Sequence, residues 1–540
     1  MYLPLWEQEN TNKLIKELYW YYYHHGIKAI IIEHLTRKIL QPLVSIVLLL
    51  FTSLVCWPTQ EWYFYLTLIV STGLFVHSLI GLYNLGKIIK KTNRLHKIYE
   101  HVLQINEEEL QTANFAKIVE KILNVHNNIL HKEPRLNQLD IIRIITLKDN
   151  YILGMINNRI ITLSGPHKQL VTSITKSVLN ISLDYCGLFN NFDQSVQQSV
   201  IFSSEADEKL EIINKVRKRL RLIGFGMLLL MPLMIIGYLL KMIFTYAERI
   251  RSNPQFLSAR QWTHLALYKF RDYNELPHEF TKRINSSYKS ATKYIDYFDI
   301  YWLCILSEFI IFVLGGIFLI LAVLSLSSDH TSYVLMLGII VPIIAIIRNI
   351  QPSEYKVCDY QQTMQEIVSN IHYLPNDWVT LAHTPKVYKE FSSLFAYQVF
   401  NWLDELQGLL LCPYVFGIDM ANNSDKLVTF IQKNTTFCEN IGYVYTKSLF
   451  EREDLESAHD SEDSRKLQMS ILNFQQNYPK CSRMLDTTMH DHLSKTFSEF
   501  ASRHRADINI FDDIESNDKI QDTFTDIVQD LEYMIEHTDE

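Results

Sequence analysis

Five charged side chains stand in or beside the apolar runs of this 540-residue chain: Lys241, Arg249, Arg251, Glu308 and Arg348. An ionisable group is costly in hydrocarbon, so it persists where it lines a polar path, pairs with another charge, or snorkels to the interface. Glu308 lies inside the run Trp302 to Leu326, too deep for easy snorkelling, and a lining or pairing role is expected there. Lys241 lies near the end of Leu222 to Phe244, with Arg249 and Arg251 just beyond. Arg348 lies near the end of Tyr333 to Ile350. These four either line a path or reach the headgroups. Such side chains exchange hydrogen bonds with a polar headgroup, or with the water that follows it, and so offset the desolvation cost of moving polar matter through lipid.

Other chemistry is missing from the sequence. There is no Walker A loop, dinucleotide glycine fingerprint, HExxH, GxSxG or DKTG-like phosphorylation site, so ATP-driven and hydrolytic roles have no motif behind them. Of 19 histidines, only His24-His25 and His490-Asp491-His492 are close together. The first pair follows Tyr19 to Tyr23 on a juxtamembrane helix, where interfacial packing is expected. Seven cysteines are scattered singly, with no CxxC and no metal-ligand spacing, so neither a disulfide framework nor a metal site is expected. No catalytic residue and no cofactor are implied.

The elements that hold the five charges come from the apolar runs. A bilayer core needs about 20 apolar helical residues. Ile39 to Trp57 and Trp62 to Leu85 qualify, and Pro58 to Glu61 joins them into a hairpin whose turn is ringed by Trp57, Trp62, Tyr63 and Tyr65. Trp302 to Leu326 and Tyr333 to Ile350 form a second hairpin through Ser327 to Ser332. Both turns lack Lys and Arg, while the opposite ends carry Arg37, Lys38, Lys87, Lys90, Lys91, Lys289, Lys293 and Arg348. The positive-inside rule therefore puts the turns in the lumen and both termini in the cytosol. Leu222 to Phe244 has basic flanks on both sides, with Pro232 at its centre and Gly224, Gly226 and Gly237 nearby. A re-entrant bent helix fits this better than a full span, which would invert the second hairpin. Leu406 to Ile418 is apolar but too short to span, and it contains Pro413. It reads as a second re-entrant or interfacial element, with a buried cytosolic helix as the alternative.

The expected fold is all-α and polytopic, with about four transmembrane helices, two re-entrant helices and helical cytosolic domains. Residues 1–38 form a cytosolic juxtamembrane helix, 39–85 the first hairpin, 86–221 a cytosolic helical region and 222–244 the first re-entrant helix. Residues 245–301 form a polar cytosolic segment, 302–350 the second hairpin, and 351–450 a further helical region that includes 406–418. The last ninety residues, 451–540, hold 22 acidic and 9 basic side chains and read as a largely disordered tail. The preceding body is mildly basic, which suits an anionic cytoplasmic leaflet.

Four ordered blocks carry a family resemblance. The segment Asn253 to Phe298 contains Arg271, Asn274, Glu275, Leu276, His278, Arg283, Asn285, Ser287 and Tyr288. Leu139 to Ile161, the run His372 to Trp378 with Pro375 and Trp378, and Leu403 to Gly442 follow in matching order. Over roughly Tyr21 to Phe450 the chain resembles the autophagy-related protein 9 family; Asp272 and a short acidic tail depart from its pattern. The resemblance implies a domain-swapped homotrimer that scrambles phospholipids without ATP while the autophagosome membrane grows. It places the protein in cytoplasmic vesicles, the Golgi, endosomes and the phagophore assembly site. Its implied partners are an autophagy lipid-transfer protein and initiation-complex proteins. The signature residues are expected to pin cytosolic helices to one another, or to a neighbouring protomer, rather than to touch lipid. A gated ion or solute channel and a non-transporting scaffold are the competing readings. In the tail, Phe511-Asp512-Asp513-Ile514 matches an aromatic-x-x-aliphatic element that could pair with a ubiquitin-like autophagy modifier.

Overall fold

A computed structural model describes residues 6, 10–36, 62–160, 172–188, 206–252, 256, 259–298, 301–327, 331–348, 359–373, 375, 378–450 and 462–478. The first expected span, 39–57, and its turn lie outside the described residues. The helices are α1 Thr11–Tyr23, α2 Trp62–His101, α3 Glu107–Thr112, α4 Phe115–Leu123, α5 Gln138–Asn157 and α6 Ser173–Tyr185. They continue with α7 Ala206–Ser252, α8 His264–Phe270, α9 Pro277–Asp296, α10 Tyr301–Ser327 and α11 Thr331–Arg348. The last five are α12 Tyr360–Ile371, α13 Pro385–Leu394, α14 Gln398–Tyr414, α15 Ser424–Lys433 and α16 Glu462–Asn477. Local signals set many of their starts. Asn10, Asn114, Asn137, Thr172, Thr263 and Asp359 each accept a backbone N–H from the first helical turn.

Two short antiparallel ribbons supplement the helices. Arg260–Trp262 (β1) pairs with Phe395–Tyr397 (β2), with Trp262 opposite Phe395. Thr435–Cys438 (β3) pairs with Gly442–Tyr445 (β4). The first ribbon ties the segment after α7 to the start of α14. A large core gathers α1, the end of α2, α4, α5, α15 and α16 around Leu18, Tyr99, Phe115, Tyr151 and Ile471. A smaller aromatic core joins α8, α9, α12 and α13 through Trp262, Phe270, Tyr294, Trp378 and Phe391.

The membrane-type helices invert this pattern. Two helical stretches among the described residues, Lys209–Ile243 and Ile305–Ser325, are long and apolar enough to cross a bilayer, and both are largely uncovered by protein. Phe312 on α10 is 80% exposed. Helices α10 and α11 pack side by side as the expected hairpin. Several expected boundaries fall inside continuous helices. Helix α2 runs 40 residues across 85/86. Helix α7 runs 47 residues across both 221/222 and 244/245 with Pro232 inside it. At 1.5 Å per residue it is about 70 Å long. The expected bent element at 222–244 is thus part of one continuous helix whose earlier residues Val216 and Leu220 are buried in the large core.

Of the tail 451–540, only residues 462–478 are described, and Glu462–Asn477 within them is helix α16. Leu467, Ile471, Phe474 and Tyr478 recur at helical spacing on α16 and are buried in the large core. Burial of these four side chains outweighs the acidic composition around them.

Candidate functional site

The signature segment forms a buried polar hub between helices. It lies in the turn from α8 to α9, where Thr263 caps α8 and Pro277 occupies the first turn of α9. Asn274 takes a left-handed conformation, φ 57°, which Asn tolerates better than most side chains. Its Nδ2 donates to the Ser448 carbonyl at 2.8 Å. Its Oδ1 accepts from Asn150 Nδ2 at 2.9 Å, and its backbone N–H donates to Asn150 Oδ1 at 3.0 Å. Asn150 and Asn274 therefore read each other reciprocally, which links α5 to the signature turn.

Charge pairs surround this contact. Arg283 on α9 grips Glu275 with Nε and Nη2, both at 2.8 Å, and donates to the carbonyls of Phe270 and Asn370. Arg271 Nη2 donates to Asp149 Oδ2 at 3.0 Å. His372, itself left-handed after α12, brings Nδ1 to 2.6 Å from Asp272 Oδ2. Asn473 on α16 donates to Asp272 at 3.0 Å and to Glu275 at 3.1 Å. Burial raises the carboxyl pKa of Asp149, but Arg271 and Lys176 more than offset it and hold the group below its ordinary range. Burial acts the same way on Asp272, and His372 and Arg283 overcome it. For Arg271 and Arg283, burial disfavours the cation while the facing carboxylates raise its pKa.

The remaining signature residues extend the hub outward. His278 faces Tyr19 of α1, Nδ1 to Oη 3.1 Å, and burial followed by the Lys282 charge lowers its pKa to about 4. Glu279 accepts from Tyr478 Oη at 2.8 Å, and burial lifts its carboxyl to about 7. Trp378 is buried in the aromatic core against Tyr373 and Phe391, and its backbone N–H donates to the Pro375 carbonyl. Asn285 stands on the exposed face of α9. The hub holds charges in pairs and joins α1, α5, α9, α12 and α16. Its chemistry is that of a clasp. Asp149, Asn150, Ser448, Tyr478 and Asn473 were not singled out from sequence as parts of it. Asp149 and Asn150 lie inside the Leu139–Ile161 block; Ser448, Asn473 and Tyr478 pair across more than a hundred residues and carry no local signal.

The membrane-type charges are not gathered in this way. Lys241, Arg249, Glu308 and Arg348 are each exposed on their helices, and nothing is described of the Arg251 side chain. Among the described residues no hydrogen bond or ion pair joins any two of them. A close helix crossing is instead made by glycines. A Cβ at Gly224 of α7 would stand 2.3 Å from Gly417 Cα, in the π-helical segment Val415–Met420 that continues α14. Helix α14 carries exposed Phe400, Leu403, Leu410 and Tyr414, while Gln398, Asn401 and Trp402 are buried. Leu409 and Cys412 are buried as well, so α14 packs one side on protein and leaves an apolar side uncovered.

Similarity to known proteins agrees with this architecture. The family model described as autophagy protein ATG9 matches residues 5–451. Autophagy-related protein 9 of Dictyostelium discoideum is 30% identical over 455 residues, 78% of this chain and 64% of the relative. The Schizosaccharomyces pombe protein of the same name is 28% identical over 517 residues, 88% of this chain and 72% of its own. For the Saccharomyces cerevisiae S288c relative the matched share of the relative is 39%, so the chain spans only part of the length of some curated relatives. The cryo-EM structure of S. pombe Atg9 superposes with a TM-score of 0.62 at 28% identity, covering 82% of this chain and 99% of that one. With the family model matched across the membrane helices and the signature hub alike, the chain belongs to the ATG9 family of autophagy membrane proteins.

Proposed function

We propose that this protein is a passive phospholipid scramblase supporting autophagosome membrane formation and expansion. The observation that carries the reading is a set of ionisable side chains, Lys241, Arg249, Glu308 and Arg348, exposed within or beside the apolar stretches of a chain in this family. A zwitterionic headgroup loses its hydration on entering hydrocarbon, and polar side chains along its route lower that cost. Equilibrating two leaflets is downhill, which agrees with a sequence that lacks a nucleotide-binding motif. On this reading the working form is a homotrimer in cytoplasmic vesicles, the Golgi, endosomes and the phagophore assembly site. An autophagy lipid-transfer protein and initiation-complex proteins are its partners. Phe511 and Ile514, outside the described residues, supply a contact for a ubiquitin-like modifier. Unchanged modifier binding by the F511A/I514A variant would dismiss that contact.

The test uses liposomes with fluorescent lipid in both leaflets. Purified protein should expose the inner label to a membrane-impermeant quencher without ATP. Replacing Arg251, Glu308 and Arg348 together by Leu should slow this at least about tenfold, since each lost polar partner costs about 1–3 kcal/mol. No signal loss beyond empty liposomes would favour a scaffold. Signal loss that appears only with leakage of an encapsulated small dye would favour a channel or a membrane defect.

A further inference from the structure

The exposed flank of α7 changes chemistry along its length. Asp207, Glu211 and Asn214 come first, then Lys215, Lys218 and Arg221, then Leu222, Phe225, Leu228 and Leu229, all exposed. The opposite flank at the same level is anchored in protein, with Val216 and Leu220 buried in the large core. At its borders, Arg217 donates to the Ala421 carbonyl, and Arg219 donates to the Tyr185 carbonyl at 3.0 Å. Of the five basic residues between 215 and 221, two are thus occupied by the fold and three are turned outward. Steps of three residues keep those three on the outward flank.

Their height is informative. Lys215 and Arg221 are separated by about 9 Å along the axis, at 1.5 Å per residue. A headgroup layer is about 5–8 Å thick, and Lys side chains extend several ångströms along the helix to reach it. Arg221 is followed at once by the exposed apolar stretch, so the three cations stand where the headgroups of the adjoining leaflet lie. Tyr185, at the end of α6, is half-exposed and stacks on the Arg219 guanidinium at 5.6 Å, as an interfacial aromatic does. Among the described residues no ion pair engages these three cations: Glu211 stands four residues before Lys215, at helix-pair spacing but unpaired with it, and Asp184 pairs with Lys148 at 2.6 Å.

We propose that Lys215, Lys218 and Arg221, with Tyr185 beside them, form a binding surface for anionic phospholipid headgroups. Zwitterionic headgroups bring their own ammonium and leave these cations without net compensation. A headgroup with net negative charge supplies it. Because α7 is continuous, the site fixes the depth at which its apolar portion enters the bilayer. Each basic side chain near an anionic surface gives roughly a fivefold preference.

The experiment uses the full-length protein in nanodiscs containing spin-labelled phosphatidylserine or phosphatidylcholine, and reads the motionally restricted fraction of each. Wild type should prefer phosphatidylserine at least about fivefold, and 0.5 M salt should reduce the preference. The K215Q/K218Q/R221Q variant should bring the two lipids close to parity, whereas K215R/K218R/R221K should retain the selectivity. The control K282Q/K389Q, on exposed cytosolic faces, should behave as wild type. Equal selectivity in wild type and the triple Gln variant would overturn the proposal. So would a change in oligomer mass without a change in lipid selectivity, which would assign this face to a second copy of the chain. Selectivity is an equilibrium reading, so it stands or falls independently of any transport activity.

Discussion

Replacing Arg283 by Met tests whether the signature residues act as a clasp. The substitution removes both 2.8 Å bonds to Glu275 and the bonds to two carbonyls, and leaves Glu275 and Asp272 as carboxylates with 3% and 2% exposure. Breaking a buried pair on one side costs about 3–5 kcal/mol. Three consecutive amides of this turn donate to side chains rather than to a helix's own carbonyls, so they report on the hub's contacts. Asp272 N–H donates to Glu275 Oε2, Tyr273 N–H to Ser470 Oγ and Asn274 N–H to Asn150 Oδ1. If they exchange by opening of the hub, R283M should accelerate their hydrogen exchange by roughly 150- to 5,000-fold, at 1.36 kcal/mol per decade. N473A, which removes one donor to each carboxylate, should accelerate it by roughly 10- to 150-fold, from about 1.5–3 kcal/mol. At Tyr273 and Asn274, whose acceptors it leaves in place, the double variant E275L/R283L should fall below R283M alone, because it no longer buries the unpaired Glu275 charge. Acceleration below tenfold in R283M would refute the reasoning, since it would mean the carboxylates relax to solvent at little cost.

Other consequences can be checked separately. G224V should lower the thermal stability of the detergent-solubilised protein by about 1–3 kcal/mol through overpacking against Gly417, whereas G226V, with nothing within 4 Å of its Cβ, should not; equal losses would deny that the crossing is tight. The pKa of Glu279, raised to about 7, makes docking of α16 strongest below about pH 4.5 and weaker as pH rises through 7. His278, lowered to about 4, acts oppositely and favours the folded contact above about pH 6.5, with loss as pH falls through 4. Amide protection of α16 should therefore lose its alkaline decline in E279Q, and that of α1 its acid decline in H278N; profiles unchanged in both variants would remove these groups from the linkage. Sequons at Asn180, Asn285, Asn422 and Asn434 should all remain unglycosylated if these segments face the cytosol, and a glycosidase-sensitive mass shift would overturn that orientation.

The membrane-type helices were legible because hydrocarbon imposes a one-dimensional rule. Twenty apolar residues in sequence are enough to identify a helix that can span, and the α10–α11 hairpin follows from Ser327–Ser332 being too short for anything else. The hub was only half legible. The signature residues stood out through their resemblance, yet their partners did not. Arg271 reaches Asp149 across 122 positions, Asn274 reaches Ser448 across 174, and Asp272 reaches Asn473 across 201. Long-range polar pairs leave no periodicity to read.

Packing adds what composition leaves open. Pro232 lies inside the continuous helix α7, and Gly224 of the same helix serves close approach to Gly417. In the acidic tail, four apolar residues recur at positions 467, 471, 474 and 478. Once those side chains enter the core, Ser470 and Asn473 on the same helix are carried to the backbone of Tyr273 and to the carboxylates of Asp272 and Glu275. That arrangement gives Asp272 a physical role. Its Oδ2 is the point where His372 from α12 and Asn473 from α16 converge. An uncharged isostere in D272N would keep the shape but weaken the acceptor facing His372 and Arg283. The expected result is loosened α16 protection with an intact α8 and α9, seen as faster exchange confined to residues 462–478 and the signature turn. Exchange that rises equally throughout α9 would show that Asp272 supports the fold at large rather than the docking of the C-terminal helix.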